Sequence, residues 1–231
     1  MHDVEIGQDI IERVLARRGR VHLFESIDPA KTAFVVVDMQ NTFVEPGAPA
    51  EVPVARDVVP AINELADELR KRGVRVIWVN HQNAGAPGAT DWEGFFTHIV
   101  GDPEKVDAML ENMAEGGHGT LLWKDLDVDS GDLRVTKNRY SAFTSGASRL
   151  ERVLRSLGIE NLILAGTKTN VCVESTGRDA MALDFKVVMV SDACAASSDR
   201  EHLGTLETFL QQFGDVMTKV EVLEIVGRKA N

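Results

Sequence analysis

The chain of 231 residues carries 25 Lys and Arg against 36 Asp and Glu, a formal net charge of −11 at pH 7, and two cysteines, Cys172 and Cys194. That length suits a single α/β domain with a few insertions, and acidity spread along the chain argues against nucleic acid or an anionic membrane as partner. Two cysteines argue against a disulfide framework, no apolar stretch approaches the roughly 20 residues of a membrane span, and the first residues are not patterned as a secretion signal, so a cytoplasmic location is expected.

Residues 1–30 carry a weak helical pattern (Ile6, Ile10, Ile11, Val14, Leu15) and a polar turn at Asp28-Pro29, which reads as an N-terminal arm ahead of a domain over 31–231. Residues 32–38 form the first core strand, a β-branched run that ends abruptly in the carboxylate of Asp38. Asp57 is placed to cap a helix whose apolar stripe is Val58, Ile62, Leu65 and Leu69. Residues 74–80 give the second strand. From about 81 to 130 the pattern breaks into an irregular insertion with Gly85, Pro87, Gly88 and a Gly116-Gly117-His118-Gly119 cluster, and short helices are expected over 92–99 and 103–113. Irregular chain of that length inside a compact domain is usually functional, as a lid or an oligomer contact. Trp92, Phe95 and Phe96 within it are expected to cover a pocket or an interface, unless they cap the subunit's own core.

The third strand, 133–136, ends at Lys137. Ser145 is read as the cap of a helix with Leu150, Val153, Leu154 and Leu157 on one face. The fourth strand, 161–165, leads into the cysteine helix, and strands over 186–191 and 220–226 flank a helix with Leu203, Leu206, Leu210 and Phe213. Six strands alternating with helices predict a three-layer α/β/α sandwich with a mostly parallel sheet in the order 3-2-1-4-5-6. Ligands of such sheets gather at the carboxyl ends of the strands, so Asp38, Lys137 and Cys172 converge on one rim.

Cys172 falls at the strand-to-helix junction 166–176, where unpaired N–H groups and the positive end of a helix dipole favour thiolate; a structural, buried cysteine is the alternative. A cysteine nucleophile needs a base for its proton and a positive neighbour for the thiolate, and Asp38 and Lys137 can supply these. Backbone N–H groups at Lys168 and Cys172 would form an oxyanion hole. His2, His22, His98, His118 and His202 read as surface or packing residues; His81, after the second strand, could line the pocket. Tyr140 and Phe143 follow Lys137 closely and are expected to line the substrate cleft with Asn80 and His81. No His or carboxylate cluster is spaced for a metal and no phosphate loop is present, so neither metal nor cofactor is expected.

Three blocks together, Val35-Val36-Val37-Asp38-Met39-Gln40-Asn41, Lys137-Asn138-Arg139-Tyr140-Ser141-Ala142-Phe143 and Gly166-Thr167-Lys168-Thr169-Asn170-Val171-Cys172-Val173-Glu174-Ser175-Thr176-Gly177-Arg178-Asp179, resemble the isochorismatase-like cysteine hydrolases over about residues 30 to 226. The second and third blocks are most similar to the ureidoacrylate amidohydrolase branch and related N-carbamoyl amide hydrolases. The resemblance implies a catalytic triad of Asp38, Lys137 and Cys172 and a cis peptide bond between Thr167 and Lys168. It also implies a homodimer or homotetramer acting on a small amide or ureido substrate through a thioester on Cys172. Lys168 stands where the family usually has a small residue. A ligand-binding or scaffold protein on the same fold, with the three residues a relic, is the alternative reading.

Overall fold

An apolar, β-branched strand is at home where both faces of a sheet are covered, and the first strand of this chain sits there. The computed structural model describes residues 1–83 and 90–228. Its sheet has six parallel strands, β1 (Thr32–Val37), β2 (Arg75–His81), β3 (Leu133–Lys137), β4 (Asn161–Thr167), β5 (Lys186–Ala195) and β6 (Asp215–Met217), in the order β3-β2-β1-β4-β5-β6. Among the described residues eight α-helices connect and cover them: α1 (Gln8–Arg18), α2 (Asn41–Val44), α3 (Val59–Lys71), α4 (Pro103–Asn112), α5 (Leu150–Ser156), α6 (Glu174–Ala182), α7 (Asp199–Gln212) and α8 (Lys219–Ile225). The two-residue period of β1 divides its side chains between two cores. Phe34 and Val36 join α3 and α8 on one face, while Ala33, Val35 and Val37 join α1, α5, α6 and α7 on the other. The sandwich and its strand order are those the sequence predicts, and no described helix is long and apolar enough to cross a membrane.

Three local expectations are corrected. Residues 220–226 are not the sixth strand: that segment is α8, opened by a capping box in which Thr218 and Glu221 exchange side-chain and backbone hydrogen bonds. Its buried residues Val222 and Ile225 are three apart, a helical spacing that a β-branched composition disguises. The sixth strand is the shorter Asp215–Met217 just before it. Asp57 does not cap α3, which begins at Val59 with Val58 in the cap position after a tight turn over Pro53–Arg56, and its carboxylate pairs instead with the N-terminal ammonium. Ser145 is likewise not a cap: α5 begins at Leu150, whose N–H donates to the Ser148 hydroxyl at 3.0 Å.

Within the irregular insertion, Asp102 caps α4 by accepting from the N–H groups of Glu104 and Lys105. A widened, π-helical turn covers Phe95–Val100. Gly85, Pro87 and Gly88 lie outside the described residues.

One glycine sets how closely the central strands meet at the carboxyl rim. Gly166 in β4 pairs with Val37 in β1 at φ +117°, and a Cβ there would lie 2.1 Å from the Val37 carbonyl oxygen. Gly166→Ala should therefore lower unfolding free energy by about 3 kcal/mol or more. Denaturant unfolding checks this, and a midpoint equal to the parent's would contradict the close approach.

Candidate active site

The rim is built where β1, β2, β3 and β4 end together. Asp38 leaves β1 with φ +55°, a left-handed conformation that is uncommon for a non-glycine residue, while its N–H still donates to the Val79 carbonyl at 2.8 Å. The chain thus turns over the rim while its first residue stays tied to β2. On the far side of β2, Lys137 is in register with His81. Gln40 holds the end of β2 in place: its amide donates to the carbonyls of His81 (2.9 Å) and Gly119 (2.8 Å), and its side-chain oxygen accepts from the His81 N–H (2.6 Å). Sequence reasoning gave Gln40 no role. Its place two residues after Asp38, at the same rim, was the available signal.

Lys137 Nζ donates to Asp38 Oδ2 at 2.7 Å, and both side chains are wholly buried. A second donation goes to the Arg139 carbonyl at 3.1 Å. Burial pushes the Asp38 carboxyl above the ordinary carboxylate range despite the opposing charge of Lys137. Burial works against the Lys137 ammonium too, but Asp38 and Cys172 outweigh it and hold the lysine protonated. The other carboxylate oxygen, Oδ1, is buried without a hydrogen-bond partner among the described residues. Such an atom is costly unless it has work to do.

Cys172 reaches the same pair from β4. Its π-helical turn, Thr169–Val173, opens at Lys168, whose carbonyl accepts from the N–H groups of Val171 and Val173, and runs directly into α6. The peptide bond joining Thr167 and Lys168 is cis. Behind the turn, Thr169 Oγ1 lies 2.9 Å from Nδ1 of the buried His202, which stacks on His2 at 4.2 Å. Burial raises the Cys172 thiol well above its ordinary pKa, and Lys137 acts against that rise. The sulfur is therefore held as a thiol, adjacent to a carboxylate able to take its proton and an ammonium able to hold the anion.

A cavity of about 450 Å³ opens over Cys172, walled in part by Lys168, His81, Tyr140, Trp92 and Phe95. Trp92 stacks on Phe95 with ring centroids 4.7 Å apart and meets the edge of Tyr140 at the same distance, so the insertion covers this cleft with aromatic rings. Phe96 turns away and packs against Met109 and Met113. His81 and Tyr140 thus line the cleft. Asn80 and Phe143 do not line the cleft: the Asn80 amide donates to the Thr120 carbonyl in a separate hollow, and Phe143 packs on Phe185. Strand alternation explains the first, since Asn80 and His81 point to opposite faces. Among the described residues no three His, Cys, Asp or Glu side chains cluster as a metal site.

The isochorismatase domain model matches residues 32–221. The chain belongs to the isochorismatase family. Among curated relatives in the family, it is 33% identical over 221 residues to the ureidoacrylate amidohydrolase RutB of Caulobacter vibrioides, covering 88% of this chain and 95% of the relative. Among solved family structures, a cysteine hydrolase from Pseudomonas syringae pv. phaseolicola superposes with TM-score 0.74 at 32% identity, over 86% of this chain and 94% of the other. N-carbamoylsarcosine amidase from Thermoplasma acidophilum does so with TM-score 0.66 at 27% identity, over 82% and 96%.

His81 supplies a test of the site's electrostatics. Burial first, and then the nearby Lys137 charge, push its pKa down from 6.5 to about 3, so the ring stays neutral and its Nε2 lies 3.2 Å from Asn83 Oδ1. Below pH 6.5 the unfolded chain takes up a proton that folded His81 refuses, and stability falls as pH falls towards 3, by about 1.4 kcal/mol per pH unit. His81→Gln should remove that contribution from the slope, as read by urea unfolding at about pH 6 and about pH 5. Identical slopes in the two proteins would contradict a buried neutral imidazole.

Proposed function

We propose that this protein is a cysteine-dependent amidohydrolase that cleaves a C–N bond of a small amide or ureido compound through a thioester on Cys172. The observation that carries the reading is the buried, unpartnered Asp38 Oδ1 beside a buried thiol, with Lys137 occupying the other carboxylate oxygen. The named activities of the Caulobacter and Thermoplasma relatives support a hydrolase acting on carbon–nitrogen bonds other than peptide bonds.

In this mechanism Asp38 accepts the Cys172 proton as the sulfur attacks the substrate carbonyl carbon, so negative charge passes from carboxylate to sulfur and then to the carbonyl oxygen. The N–H groups of Lys168 and Cys172 stabilise that oxyanion. When the tetrahedral intermediate collapses, the C–N bond breaks and Asp38 returns its proton to the departing nitrogen. Water then attacks the thioester with Asp38 again as base; the C–S bond breaks, the acid leaves and the thiol is restored. Throughout, Lys137 keeps its proton and stabilises whichever neighbour is anionic.

Cys172→Ala should abolish ammonia release from carbamoyl and amide substrates, a loss of at least about 10³-fold in kcat, while far-UV dichroism and the unfolding midpoint stay close to the parent's. Parent-like turnover in the alanine variant would rule out the thioester route.

A further inference from the structure

Lys168 stands on the wall of the cleft over Cys172 with no counter-charge among the described residues. It is half-buried, and among those residues no carboxylate, carbonyl or ring pairs with its ammonium. Arg139, over the Trp92 ring of that wall, directs its guanidinium at the Asn138 and Asp91 carbonyls, each at 2.7 Å, and the remaining titratable groups are neutral or paired. Glu51 accepts from the Gly47 N–H and from Arg56, each at 2.8 Å, contacts that also lower its pKa. His81 is held neutral by burial, and burial likewise raises the Tyr140 phenol. The deeper Lys137 charge is met by Asp38. In a protein of net charge −11, an unpaired ammonium in a partly enclosed, aromatic-walled cleft reverses the local field and draws an anion where the surrounding surface repels one.

We propose that Lys168 is a specificity-determining residue: the substrate bears a carboxylate, which the Lys168 ammonium binds while the scissile carbonyl lies at Cys172. This deepens the amidohydrolase reading and rests on it. The same residue would then serve twice, its backbone N–H at the reacting carbonyl oxygen and its side chain on the substrate's acid group. Lys168 lies only four residues before Cys172, so the carboxylate and the scissile bond belong to one small molecule of the size the 450 Å³ cavity holds.

Two pairs of probes, matched in size and differing in charge, test this. The first needs no turnover: iodoacetate and iodoacetamide both alkylate a thiolate with loss of iodide and differ in charge alone. The ratio of their rate constants at Cys172 should fall about tenfold in Lys168→Met, fall further in Lys168→Glu and stay near the parent value in Lys168→Arg. The second is kcat/KM for N-carbamoyl-β-alanine over that for its uncharged carboxamide, which should fall in the same order. If no amide is hydrolysed but the alkylation ratio follows residue 168, the anion site stands and the amidohydrolase reading fails. If both ratios in Lys168→Met stay within about twofold of the parent, Lys168 does not select for charge and the proposal is overturned.

Discussion

A lysine ammonium sealed from water must find its counter-charge within the fold, and at this rim Lys137 finds it in Asp38, 2.7 Å away. The two residues come from strands that do not touch, because β2 lies between β1 and β3. Their meeting therefore depends on the shape of the rim rather than on any one hydrogen-bonded pair of strands. The left-handed turn at Asp38 directs its carboxylate across the sheet edge, Gln40 fixes the end of β2, and Gly166 lets β4 close against β1 on the other side. Losing one member of a buried pair typically costs about 3–5 kcal/mol, since the survivor is left uncompensated. The same contact that makes the site chemically useful is thus one on which its stability relies.

The electrostatics of the cluster follow from counting charges before and after proton transfer. A thiol, a carboxylate and an ammonium carry no net charge together. Passing the thiol proton to Asp38 leaves a thiolate, a carboxylic acid and the same ammonium, again without net charge. Charge is moved rather than created, which a dry site tolerates far better than the ionisation of a lone group. A positive imidazole nearby would upset this balance by stabilising the thiolate outright and holding Asp38 ionised, and His81, buried and neutral, does not supply one. His202 lies behind the Cys172 turn as a hydrogen-bond partner of Thr169, and its pKa too is pushed down, to about 4, mainly by burial.

Much of this was legible from residues alone, for physical reasons that differ from place to place. Strands β1, β2, β4 and β5 each contain a buried apolar run, and the order of strands and helices leaves few right-handed parallel topologies, so the sheet could be written down before the structure. The convergence of Asp38, Lys137 and Cys172 follows from strand ends alone. What was not legible depends on geometry finer than strand ends. Strand parity takes Asn80 away from the cleft although its neighbour His81 lines it, and Phe143 belongs to the core under α5 and α6. The exchange of strand for helix over α8 turned on one Thr218–Glu221 capping box within a β-branched run, and the bracket made by Gln40 emerges only once β2 and the Gly119 loop are brought beside it.

The sharing of one proton between Cys172 and Asp38, under the fixed charge of Lys137, is tested most directly by the pH dependence of Cys172 alkylation by iodoacetamide in Asp38→Asn compared with the parent protein. Asparagine at position 38 removes the negative charge and the proton acceptor that favour the thiol while leaving Lys137 beside the sulfur, so the midpoint of the alkylation profile should move to lower pH even as turnover is lost. A midpoint that stays where it is, or moves to higher pH, would show that Asp38 and Cys172 do not share a proton.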